Sequence, residues 1–182
     1  MLNPRTVHHG VHHGFSLIEL AVGMVIISIL LASAAPSFQN WIQSTQIRTA
    51  AEAMLNGLQL ARTEAVRLNT PVQFALLTGS GWRVGCVTPT ATCPATIQSR
   101  SSTEGSANAA VTADQATIAF SGLGRVTPLP AGNVNINITN PGGGACAPSG
   151  PMRCMRVVIS TGGQIRMCDP ALTFSSTYPQ GC

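Results

Sequence analysis

The sequence predicts an α+β chain, a long N-terminal helix packed on a small antiparallel β-sheet domain, with the first half of the helix spanning a membrane. Three observations predict it. The apolar run from Phe15 to Ala35 carries a single charge, Glu19. A helical stripe of apolar residues then continues to Leu68. Beyond Pro71 the apolar residues fall in short runs and alternations between glycine-containing turns, the pattern of strands.

The run from Phe15 to Ala35, about 21 residues, is long enough as a helix to cross a hydrocarbon core of roughly 30 Å. A carboxylate in such a span costs roughly 2.5–3.5 kcal/mol at mid-membrane, so Glu19 reads first as functional. The plain alternative is a signal anchor whose Glu19 lies near the interface without a role. Two features weigh against it. Gly14 stands directly ahead of the run, whereas a secretory signal places its small-residue cleavage site after the apolar region. The helical pattern also continues past the run. Ile47, Ala51, Met54, Leu58, Ala61, Ala65 and Leu68 recur at helical spacing, which makes one apolar stripe. Arg48, Glu52, Asn56, Gln59, Arg62, Thr63 and Arg67 form the opposite, polar face. Residues 15–68 therefore read as nearly one helix, about 80 Å long at the α-helical rise. Met54 and Leu58 are core residues in this reading, and Arg48 with Glu52 is a solvated i,i+4 pair.

Asn69-Thr70-Pro71 ends the helix, because the residue before a proline disfavours helical geometry. Val72–Leu77 and Trp82–Val87 flank Thr78-Gly79-Ser80-Gly81 and predict a hairpin. From Thr88 to Asp114 the composition turns to Thr, Ser, Ala and Pro, which predicts a long surface loop. Thr117–Phe120 predicts a strand. Val134, Ile136 and Ile138 alternate with Asn133, Asn135 and Asn137, which predicts a strand with one buried and one wet face. Residues 140–151 form a Gly/Pro loop. Arg153–Ser160 and Gln164–Cys168 flank Thr161-Gly162-Gly163 as a terminal hairpin. A three-residue loop with a left-handed glycine pairs Ile159 with Ile165 and Val157 with Met167, putting all four on one face. The other face carries Arg156, Val158, Ser160, Gln164 and Arg166, with Val158 opposite Arg166. Arg156 and Arg166, with Arg153 nearby, could grip phosphates. They could equally keep an edge hairpin soluble.

The six cysteines are Cys86, Cys93, Cys146, Cys154, Cys168 and Cys182. None forms the C-x-x-C pair of zinc or redox sites, and an even count in an exported domain favours disulfides. Many connectivities are open. The preferred one joins Cys86 to Cys93, Cys146 to Cys154 and Cys168 to Cys182, because each bond closes a nearby polar or Gly/Pro-rich loop.

Gly14-Phe15-Ser16-Leu17-Ile18-Glu19-Leu20 resembles the leader junction of type IV pilins and type II secretion pseudopilins. The resemblance implies a type IV pilin-like fold. It implies a leader over residues 1–14, cut after Gly14 by a prepilin peptidase that methylates Phe15. It implies that Glu19, the fifth residue after the cut, neutralises the N-terminal amine of a neighbouring subunit in a helical filament, and that Pro36 marks where such helices bend or melt. The first partners implied are other pilin or pseudopilin subunits, the peptidase and the bacterial inner membrane, which the 15–35 segment spans. The β-rich domain, residues 69–182, is then periplasmic.

This processing bears on composition. His8, His9, His12 and His13, the only histidines, and Arg5 precede Gly14. Removing Arg5 takes the formal charge from +4 to +3. A metal role for a discarded histidine cluster is not expected. What remains has neither histidine nor lysine, which excludes histidine bases, histidine metal ligands and lysine nucleophiles. Glu104, Asp114 and Asp169 are the carboxylates beyond the helix and stand alone in sequence. No enzyme activity and no cofactor are expected.

The order of long helix, hairpin, variable loop and terminal hairpin is similar to the pseudopilin H and minor pilin T/U group. Residues 154–170 look most like the minor pilin T branch, some members of which bind DNA through a Gly-Arg-x-Arg motif. Here the motif reads Gly163-Gln164-Ile165-Arg166, so Gln164 replaces one phosphate-binding charge. The implied function is a minor pilin built into, or priming, a type IV pilus, with non-specific binding of double-stranded DNA as a further role carried by Arg153, Arg156, Gln164 and Arg166. The alternative is a type II secretion pseudopilin H at the pseudopilus tip, acting in protein export.

Overall fold

The structure, a computed structural model, describes residues 16–182 apart from the side chains at positions 35 and 36. Gly14, Phe15, the leader and its histidines lie outside the described residues. The chain divides into two units, Met1–Phe38 and Gln39–Cys182. Helix α1, Leu17–Leu68, has residues in both, and Pro36 falls within its span.

In the first unit Ser16 opens the helix. Its Oγ accepts the Glu19 N–H at 3.2 Å, and its carbonyl accepts the Leu20 N–H at 3.2 Å. Ser-x-x-Glu at a helix start is a capping-box sequence. The apolar side chains that follow are bare: Leu17 is 87% exposed and Ile18 69%. At the far end of α1, Asn69 adopts φ 47°, and the Thr70 N–H reaches back to the Ala65 carbonyl at 3.2 Å. This left-handed termination satisfies carbonyls that the last turn would otherwise orphan.

In the second unit the stripe is fully buried at Ile47, Ala50, Ala51, Met54, Leu58, Ala61 and Ala65. It packs in one core with residues of two antiparallel sheets. The strands are β1 Val72–Leu76, β2 Trp82–Cys86, β3 Gln98–Arg100, β4 Ala110–Ala113, β5 Thr117–Phe120, β6 Val126–Thr127, β7 Val134–Thr139, β8 Met155–Ile159 and β9 Ile165–Cys168. The first sheet has the order β3-β2-β1-β5-β6 and the second β4-β7-β8-β9. Gly57 lets the first sheet approach the helix backbone. A Cβ there would sit 2.8 Å from Cε2 of Phe74 and 3.0 Å from Cε2 of Trp82.

One expectation is corrected. The stretch from Thr88 to Asp114 is not a continuous surface loop, because it contains β3 and β4. Both are edge strands. β3 reads Gln-Ser-Arg and has no apolar residue to bury; it is held by backbone pairing, with Trp82 opposite Arg100 and Val84 opposite Gln98. β4 pairs Val111 with Ile138 and Ala113 with Ile136. An edge strand packed on one side needs little apolar sequence, so periodicity does not reveal it.

The terminal hairpin has the register read from sequence, Ile159 opposite Ile165, Val157 opposite Met167 and Val158 opposite Arg166. Its loop turns at Gly163, φ 84°. The face expected to be wet is partly covered, however. Val158 is 7% exposed and Cys168 1%. Residues 169–182 fold back along β9. The Asp169 N–H donates to the Gln180 carbonyl at 2.7 Å, the Cys182 N–H donates to the Asp169 carbonyl at 3.2 Å, and a disulfide ties Cys182 to Cys168. Two more disulfides join Cys86 to Cys93 and Cys146 to Cys154.

Candidate functional site

Two surfaces carry the sequence-predicted residues. The first is the apolar segment of α1 in the first unit. It is long and apolar enough to cross a membrane, and none of its most apolar stretch is buried within the chain. Leu20, Met24, Ile27 and Leu31 are each more than half exposed, at 58%, 61%, 58% and 66%. A contiguous apolar surface of this size needs lipid or other helices around it. Glu19 is the one acid on it and is itself exposed. Sequence reasoning missed Ser16, whose cap fixes the helix start beside Glu19; the Ser-x-x-Glu spacing was the available signal.

The second surface is the outer face of β8 and β9. The Nε of Arg156 donates to Asn137 Oδ1 at 2.7 Å across the β7–β8 pair. Arg166 donates through Nη1 to the Gly181 carbonyl at 3.2 Å and through Nη2 to the Cys182 carbonyl at 3.4 Å. Its guanidinium also lies 5.7 Å from the Phe174 ring centroid, within cation–π range. Arg166 thus clamps the tail. Arg153, 70% exposed at the side chain, pairs with Asp169 at 3.3 Å. Gln164 is exposed, and its N–H donates to Ser160 Oγ at 3.1 Å. The structure places these residues on neighbouring positions of one hairpin and its approach, but Arg166 gives one donor of each Nη to a carbonyl of the tail.

The three carboxylates of the sheet region are committed to local architecture. Glu104 accepts the Ser101 N–H at 3.1 Å. Asp114 accepts from the Asn135 backbone at 2.9 Å and from its side-chain amide at 3.0 Å. Asp169 accepts the Ala171 N–H at 2.9 Å besides holding Arg153.

A bare apolar helix with one acid, continuing into a helix packed on small antiparallel sheets, defines a type IV pilin-like subunit. The prokaryotic N-terminal methylation motif matches residues 11–35. The profile of the Type II transport protein GspH matches residues 50–163, and the chain belongs to that family. No curated protein matches it. Among solved structures it is similar to the type IV minor pilin FimU of Pseudomonas aeruginosa, at 19% identity and a TM-score of 0.52 over 72% of this chain and 99% of that one. It is also similar to the minor pseudopilin EpsH of the Type 2 Secretion System of Vibrio cholerae, at 13% identity and 0.51 over 70% and 99%. At these identities the likeness is one of fold.

Proposed function

We propose that the chain is a minor subunit of a type IV pilus, cut after Gly14, methylated at Phe15 and held in the inner membrane by residues 15–35 until it enters or primes the filament. Residues 69–182 then form the periplasmic domain. The observation that carries this reading is the bare apolar helix with Glu19 near its start. An α-amino group is mostly protonated at neutral pH, so a neighbouring subunit's N-terminus is a fitting partner for that acid in a low-dielectric bundle. Mass spectrometry of the chain purified from cells tests the processing: the N-terminus is expected at methylated Phe15, and at Met1 in cells lacking the peptidase. A mature chain beginning elsewhere sinks the reading.

The family's description supports the alternative, a pseudopilin of type II secretion. Deleting the gene separates the two: loss of surface pili with normal export fits the pilus, and the reverse fits secretion.

Non-specific capture of double-stranded DNA is a further role, favoured by the exposure of Arg153 and by Arg156 on the same hairpin. Phosphate contacts of this kind dominate non-specific binding and make it salt-dependent. Arg153→Ala with Arg156→Ala is expected to weaken binding in gel shifts and to reduce the salt slope by about two. Arg166→Ala should do less, since its guanidinium serves the tail. Wild-type affinity in the double variant would remove the DNA role.

A further inference from the structure

The joint between the two sheets carries cations close to the place where the hairpin lacks one. Gly163 of the β8–β9 loop and Gly124 of the β5–β6 turn both take left-handed backbone, at φ 84° and φ 71°. A Cβ on Gly163 would meet the Gly124 carbonyl and would stand 3.5 Å from the Cα of Arg125. The same carbonyl accepts from Arg62 Nε at 3.2 Å. One carbonyl therefore gathers the loop, the turn and a residue of α1. Arg62, Arg125, Gly162 and Gln164 are all exposed.

The arginines of this joint differ from the others among the described residues. Arg48, Arg67, Arg100 and Arg153 are each matched by a carboxylate. Arg156 donates to Asn137, and Arg166 donates to the tail. Arg83 is half-buried in β2. Arg62 has no acidic partner and gives Nε to a neutral carbonyl. Arg125 is exposed, and its guanidinium is engaged by no acid and no carbonyl.

We propose that Arg125, with Arg62 beside it, supplies the phosphate contact that Gln164 lacks, so that double-stranded DNA is held at the joint of the two sheets as well as on the hairpin. The inference rests on the DNA role proposed above. An unengaged guanidinium can meet a phosphate without first giving up an ion pair, and its planar fork suits two phosphate oxygens. Gln164 can offer a phosphate a neutral hydrogen bond, but it releases no counterion. Gly162, exposed and without a side chain, leaves the nucleic-acid backbone room to approach between them.

Gel shifts of the full chain in detergent micelles on a short mixed-sequence duplex test the assignment. Arg125→Gln is expected to make the salt slope shallower by about one, so that between about 50 and 200 mM salt it loses roughly threefold less affinity than the unaltered chain. Adding Arg62→Gln should bring the change in slope to about two. Arg83→Gln removes the same charge three strands away from β6 and should leave the slope as it was. Gln164→Arg placed in the Arg125→Gln chain should restore the slope, which it could not do if Arg125 served only the fold. An unchanged slope in Arg125→Gln, an equal fall in Arg83→Gln, or no restoration by Gln164→Arg overturns the assignment and leaves the DNA role standing. A double variant no shallower than Arg125→Gln strikes Arg62 from the surface. No retardation by the unaltered chain at about 50 mM salt removes the DNA role itself, and this contact with it.

Discussion

Gly163→Ala is expected to destabilise the second unit by about 3 kcal/mol, through two effects that add. Gly163 sits at φ 84°, a left-handed conformation that costs a residue with a Cβ roughly 1–2 kcal/mol. The new Cβ would also stand 2.0 Å from the carbonyl oxygen of Gly124, and overpacking of this kind costs roughly 1–3 kcal/mol. That oxygen belongs to the turn between β5 and β6, so the β8–β9 loop of one sheet rests on a turn of the other. Neither side can yield by a rotamer change. The Gly124 carbonyl is already engaged by Arg62 Nε at 3.2 Å, and the Gly124 N–H is bonded to the Ser121 carbonyl at 2.8 Å. Gly162→Ala is the matched control. Its Cβ would come no closer than 3.8 Å, to Ser160 Oγ, so it should be neutral or stabilising by about 0.4–1 kcal/mol. Thermal unfolding of the two variants in detergent micelles should differ by roughly 10 °C. Equal midpoints would show that the hairpin loop does not rest on Gly124.

The same hairpin shows what the sequence makes legible. Val157, Ile159, Ile165 and Met167 share a face with a three-residue loop and are split between faces with a two-residue one, because a one-residue slip turns a strand over; the observed pairing is the first. The long helix was legible for a similar reason, since burial imposes a period that no loop imitates. Other features rest on contacts the local sequence does not encode. β3 is held by backbone pairing to Trp82 and Val84, which leaves no trace in Gln-Ser-Arg. Val158 shares its strand face with Arg156 and Arg166 and is nonetheless buried, because strand alternation knows nothing of a tail that folds back along β9. Arg166 looked like a free cation, yet it holds that tail through two carbonyls. The joint of Gly163 with Gly124, Arg125 and Arg62 brings together residues far apart in sequence, so no motif could announce it. Ser16 is a different case: its signal, Ser three residues ahead of Glu, was present and local.

Glu19→Gln is expected to leave the chain processed and membrane-bound but to cut its incorporation into filaments by roughly a hundredfold to a thousandfold. Losing one partner of a buried ion pair costs about 3–5 kcal/mol, and every 1.4 kcal/mol is a factor of ten. Glutamine is the informative replacement because Glu19 has two possible duties. It occupies the third position after the Ser16 cap, where the Ser16 Oγ receives its N–H at 3.2 Å. Glutamine serves a capping box as well as glutamate does, so the helix start is preserved and only the charge is lost. The change also favours insertion in lipid, since the carboxylate is the one costly group in residues 15–35. A fall in assembly therefore cannot come from a weakened helix or a failed anchor; it isolates the attraction between this acid and a neighbour's amine. Shearing filaments from cells and comparing the variant in the sheared and membrane fractions measures it. Wild-type amounts of the Gln variant in the filament fraction would mean that the acid serves only the cap, and the pairing on which the proposed assembly rests would be wrong.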